Sequence, residues 1–103
     1  MGEELAAPEL VDLEVTSALR KAVSRRRLPQ RRAVLALRDL QLLPINRVSH
    51  LPLLGRIWEL RGNVTVYDAA YVALAEILGA ALLTADKRLE QAHGVRCVVE
   101  LLL

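Results

Sequence analysis

Three observations predict a mixed α/β domain, with a small, mostly parallel sheet covered by helices. Stretches with apolar residues at helical spacing alternate with short apolar runs of strand length. Those short runs are apolar on both faces, as buried parallel strands are. The chain is 53% hydrophobic yet has one Trp, two Tyr and no Phe, so its core is aliphatic. At 103 residues the expectation is one domain, 1–103, that buries roughly 65% of the surface its unfolded chain exposes.

Each element has its own local signal. A first helix is expected over residues 11–26, where Val11, Val15, Ala18, Leu19 and Ala22 recur on one face and Pro29 prevents continuation. A second, over 30–39, carries Ala33, Leu37 and Leu40 on one side. LQLLPI, at 40–45, is short, apolar and ended by Asn46, which predicts a buried strand. A third helix fits 51–61, with Pro52 in its first turn, Gly62 beyond its end and Trp58 expected in the core. A fourth fits 67–78, closed by Gly79. ALLT, at 81–84, reads as a strand, followed by a short helix to Ala92 and a last strand near 95–99. Cys97 is expected there as a small buried hydrophobe.

Several function classes drop out. The apolar run at 69–85 is broken by Glu76 and Gly79 and is too short to span a membrane. MGEELAAPEL is acidic and has no apolar core, so no secretory signal is expected, and MGEELA lacks the Ser or Thr of a myristoylation signal. A single cysteine excludes an internal disulfide and a cysteine-rich metal site. His50 and His93 are isolated, expected at the surface, and do not form a zinc site. A soluble, cytoplasmic protein is the expectation.

The net charge of +2 conceals a basic segment. Arg20, Lys21, Arg25, Arg26, Arg27, Arg31 and Arg32 lie close together with no acid among them. Such a surface attracts phosphate backbones. The competing reading is a solvated helix end, where cations suit the helix dipole. No aromatic residue interleaves the cations to stack on bases.

The acidic residues are more specific. YDAAYVALAEILGAALLTADKRL, at 67–89, places an apolar segment between Asp68 and Asp86. From Asp68 to Leu78 a helix rises roughly 15 Å. From Ala81 to Asp86 a strand covers roughly 16 Å. Gly79 turns the chain between them, so the strand retraces the helix and brings the two carboxylates to one end. Each has an ordinary explanation, Asp68 in a capping box with Thr65 and Asp86 as an N-cap. Their convergence is what points to a site. Paired anions in an apolar setting call for a cation, and hard oxygen donors suit Mg²⁺ or Mn²⁺. The first helix offers a third carboxylate, either Asp12 or Glu14, and periodicity leaves both open.

APELVDLEVTSALRK and RIWELRGNVTVYDAAYVALAEILGAALLTADKRL together resemble the PIN-domain toxins of the VapC family. The likeness extends from about Ala6 to the C-terminus. It implies a PIN-like α/β domain, an acidic cluster binding Mg²⁺ (or Mn²⁺), and an endoribonuclease acting on single-stranded RNA. A VapB-type antitoxin partner and a homodimer are implied as well. By this resemblance the acid of LEVTSALR is Glu14, that of NVTVYDAAY is Asp68 and that of LLTADKRL is Asp86, as catalytic and metal-binding residues. Thr84 would orient the cluster or a water, and Arg88 would pair with a phosphate or an acid. The family also implies an opening strand of the type I-V-D-(T/A)-S, whose aspartate is the first metal ligand, followed by a helix. MGEELAAPEL stands beyond that point of the layout, so a three-acid site in an N-terminally truncated domain, with weak or lost activity, is expected. Two rival readings are a catalytically inactive remnant that still binds the antitoxin, and a non-enzymatic RNA-binding module using the Arg20–Arg32 segment.

Overall fold

Pro44 and Gly79 decide where two of the main helices stop, and the strands follow directly from them. The computed structural model describes residues 4–102. It comprises two compact units, residues 1–48 and 49–103, each taken by itself below.

In the first unit, strand β1 (Leu5–Pro8) leads into helix α1 (Val11–Ser24). Helix α2 (Gln30–Leu42) follows, and strand β2 (Ile45–Val48) runs parallel to β1 with Leu5 opposite Ile45 and Pro8 opposite Val48. Glu9 N–H extends the ladder by donating to Val48 O at 3.0 Å. Ala7, Ala33 and Leu40 are buried, as is Pro8, whereas α1 has no fully buried residue.

Three expectations need correction here. Helix α1 ends at Ser24 rather than Arg26, because Arg26 adopts a left-handed φ of 57° that a right-handed helix cannot contain. Leu40, Gln41 and Leu42 extend α2 instead of forming a strand. Pro44 holds Leu43 extended (φ −65°, ψ 135°), so the strand starts after the proline, at Ile45. Strand β1 was not expected, since LAAP has no β-branched residue and only its pairing with β2 makes it a strand.

Arg47 of β2 fastens this unit. Its Nη2 and Nε donate to the two carboxylate oxygens of Asp12 at 2.8 and 2.9 Å. Its guanidinium also donates to Leu40 O and Ile45 O. One side chain thereby ties α1, the end of α2 and β2 together. The hydrogen bonds from Arg47 hold the Asp12 carboxyl below its usual pKa.

The second unit opens with a 3₁₀ turn (Leu51–Leu53) that runs into helix α3 (Leu54–Leu60), where one continuous helix over 51–61 was expected. Helix α4 (Val66–Leu78), strand β3 (Leu82–Thr84), the single-turn helix α5 (Lys87–Glu90) and strand β4 (Val99–Leu101) complete it. Helix α5 is shorter than the expected run to Ala92, and β4 starts at Val99, the last residue of the expected 95–99. Strands β3 and β4 are parallel, with Leu82 opposite Val99 and Thr84 opposite Leu101. The parallel orientation agrees with expectation; among the described residues it takes the form of one two-stranded ladder in each unit.

Helix α4 is the core of this unit. Ala69, Ala70, Val72, Ala73, Leu74 and Ala75 are all buried, and α3 packs against it through Ile57 and Leu60. Thr65 caps its N-terminus by accepting from Asp68 N–H at 3.1 Å. Gly79 ends it with φ 61°, a conformation that costs glycine nothing and most residues about 1–2 kcal/mol.

Arg56 of α3 joins α4 to the C-terminal segment. It donates to both carboxylate oxygens of Glu76 (2.7 and 3.1 Å), to Glu59 at 3.2 Å and to Gly94 O. Glu76 also accepts from Arg96 N–H at 2.8 Å. These bonds raise the pKa of Arg56 and lower that of Glu76. Cys97 is half-buried rather than fully buried, and burial pushes its thiol pKa up.

Trp58 departs from expectation. Ile57 and Leu60 of α3 face inward, and a residue one step after Ile57 is turned about 100° away. The indole is 65% exposed. Among the described residues, no helix is long and apolar enough to cross a membrane.

Candidate active site

The return from α4 through Gly79 into β3 brings Asp68 and Asp86 to one cleft. Asp68 lies in the first turn of α4, and Asp86 directly follows the short helix-to-strand return through Gly79. Both line one cleft of about 420 Å³ within the second unit, beside Arg61, Thr65, Arg88 and Leu89.

Both aspartates are anchored through the main chain by a threonine. Thr65 Oγ1 accepts from Asp68 N–H at 3.1 Å, and Thr84 Oγ1 accepts from Asp86 N–H at 3.1 Å. Thr84 therefore sets the turn that presents Asp86, rather than adding a donor to the cleft through its own side chain. Asp86 is also the N-cap of α5, accepting from Arg88 N–H at 2.9 Å.

The Arg88 guanidinium lies on the same carboxylate. Its Nε donates to Oδ1 and Oδ2 at 3.1 and 3.2 Å, and its Nη2 donates to Oδ2 at 2.7 Å. These side-chain bonds, aided by the Arg88 backbone N–H, hold the Asp86 carboxyl below its usual pKa. The Arg88 pKa is raised chiefly by its hydrogen bonds to Asp86, with a smaller contribution from the charge of Asp68. With 89% of its side chain exposed, Arg88 can leave Asp86 at little energetic cost.

The remaining candidates belong to the first unit. Glu14 stands exposed on α1, while Asp12 is engaged by Arg47. Among the described residues, no group of three or more His, Cys, Asp or Glu side chains could hold a metal ion. The donor set the cleft itself offers is the Asp68–Asp86 pair. That fits Mg²⁺ or Mn²⁺, because Mg²⁺ keeps several waters and takes one or two carboxylates from a protein. Arg20, Lys21, Arg25, Arg26, Arg27, Arg31 and Arg32 are all exposed, along the end of α1, the connecting turn and the start of α2. The dipole suits Lys21 in the last turn of α1, but Arg31 and Arg32 sit at the N-terminus of α2, where it opposes them.

A family model for the PIN domain matches residues 1–95. The chain belongs to the PIN-domain family, in its VapC branch. It is 48% identical over 96 residues to ribonuclease VapC1 of Mycobacterium tuberculosis, covering 92% of this chain and 72% of that protein. It is 43% identical over 97 residues to VapC ribonuclease Mb0985 of Mycobacterium bovis, covering 94% and 76%. Ribonuclease VapC12 of Mycobacterium tuberculosis is 41% identical over 100 residues, covering 97% and 78%.

One feature of this PIN-domain cleft escaped the sequence. The Arg61 guanidinium lies over the Trp58 ring, 4.1 Å from its centroid, and Arg61 lines the cleft. The signal was present in WELR, whose Trp and Arg are three residues apart and so share one side of a helix.

Proposed function

We propose that this PIN-domain protein is the toxin of a VapBC-type toxin–antitoxin system, a Mg²⁺- or Mn²⁺-dependent endoribonuclease that hydrolyses RNA. The observation that carries the reading is that Asp68 and Asp86 open onto one cleft together with Arg61 and Arg88. The relatives named ribonucleases support the same activity. The proposed partners are a VapB-type antitoxin and a second copy of the chain, and the proposed compartment is the cytoplasm.

Asp68 and Asp86 would hold the cation. When bound, the ion supplies a Lewis acid for the phosphate and lowers the pKa of water. The chain's own residues do the rest. Arg88 turns from Asp86 to the phosphate, which its planar fork of donors matches. Arg61 adds a second cation in the cleft, and the exposed arginines at 20–32 follow the backbone of a bound strand. Water attacks phosphorus in line, the bond to the 3′ oxygen breaks, and the product carries a 5′-phosphate.

The test combines cleavage with stability. Single-stranded RNA should be cut in Mn²⁺ and spared in EDTA. Millimolar Mn²⁺ should raise the thermal midpoint of the parent chain, because a ligand bound only by the folded state stabilises it. Asp68→Asn should abolish that rise. A parent chain that neither cuts RNA nor responds to Mn²⁺ would overturn the reading.

A further inference from the structure

Trp58 is the only tryptophan of the chain, and its indole is 65% exposed. It is also held in place. Arg61 Nη1 donates to Trp58 O at 2.8 Å, which folds the arginine back onto its own helix end with its guanidinium over the ring. Arg61 is at the same time one of the residues lining the cleft that holds Asp68 and Asp86. A large aromatic face in water, stiffened by a stacked cation and continuous with an acidic cleft, is not explained by packing. It matches the way unpaired bases are bound, by stacking on aromatic rings and guanidinium planes.

The charges around it indicate how a ligand would lie. Arg61 and Arg88 both line the cleft and are suited to phosphate, and the Trp58 ring lies against the Arg61 guanidinium. A nucleotide with its phosphate between these arginines would carry its base toward the indole. We propose that Trp58 and Arg61 form a base-stacking platform beside the cleft, which takes one unpaired nucleobase of the RNA. This rests on the ribonuclease reading for the identity of the ligand, but it concerns binding and does not require cleavage.

Trp58 fluorescence reports on the platform directly, since no other tryptophan contributes. The Asp86→Asn chain keeps RNA intact during the measurement. Titrating it with a short oligouridylate should quench the fluorescence, whereas inorganic polyphosphate, which offers charge without bases, should not. With a labelled oligonucleotide, Trp58→Ala should bind at least about fivefold more weakly, and Trp58→Phe should keep most of the affinity. Because the indole is largely exposed, neither change should lower the thermal midpoint, and that measurement shows the variants are folded. Equal quenching by polyphosphate would overturn the platform. So would unchanged RNA affinity in Trp58→Ala, which would assign the ring to contact with a protein partner. Quenching without cleavage by the parent would keep the platform and remove the nuclease reading. Cleavage without quenching would do the reverse.

Discussion

If Asp68 and Asp86 hold the cation as proposed, Asp68→Asn and Asp86→Asn should each lose about 10³-fold of the parent rate in a cleavage assay on single-stranded RNA, while their thermal midpoints in EDTA should stay near the parent's. Losing an outer-shell partner of a metal site costs about 10–100-fold, and removing a single donor that stabilises transition-state charge costs about 10²–10³-fold. A direct cation ligand belongs at or above the upper end. The fold survives because the main-chain turns carrying the two residues are fixed by Thr65 and Thr84, not by the carboxylates. Asparagine also caps a helix as well as aspartate does, so α5 keeps its start in Asp86→Asn. Undiminished cleavage by either folded variant would remove that residue from the site.

Glu76→Ala should cost the second unit about 2–3 kcal/mol, read from urea unfolding of the metal-free chain. Arg56 and Glu76 retain only 18% and 14% side-chain exposure, so removing the acid leaves a largely desolvated guanidinium without its main partner. Breaking a fully buried pair in this way costs about 3–5 kcal/mol, and the residual exposure lowers the figure. The loss also strands Arg96 N–H, which Glu76 accepts. The dependence on pH gives an independent check. Hydrogen bonds from Arg56 hold the Glu76 carboxyl below its ordinary pKa, so its contribution is present above that ordinary value and disappears as pH falls through the folded pKa. The gap between parent and variant should therefore be full at neutral pH and close as the pH falls through the folded carboxyl's lowered pKa. A cost under about 1 kcal/mol would show that the pair behaves as an exposed one.

Much of the cleft was readable because its elements are punctuated locally. Thr65 and Gly79 bracket α4, its run of buried small and aliphatic residues admits no other role, and Gly79 turns the chain back toward the start of the helix, although β3 is only Leu82–Thr84. What could not be read depends on distant partners. Strand β4 is one part of an evenly apolar tail, and only pairing with β3 selects Val99–Leu101. LAAP becomes a strand only against β2. Periodicity could not separate Asp12 from Glu14, because the residue that engages Asp12 is Arg47, thirty-five positions away. Trp58 was placed inward for its hydrophobicity, although Ile57 and Leu60 had already taken the inner side of a short helix.

The two walls of the cleft differ in persistence. Asp68 is carried by a helix with six buried residues, whose opening would expose the core of the unit. Asp86 stands at the start of a single turn, 87–90, with one buried residue, Leu89. Local opening free energies range from near zero to the global value, so amide hydrogens at 69–75 should be the slowest in this unit to exchange with solvent, and those at 87–90 far faster. On warming, the cleft should lose the Asp86 wall before α4 melts. A ligand bridging the two aspartates should slow exchange most at α5, the wall with the most freedom to lose.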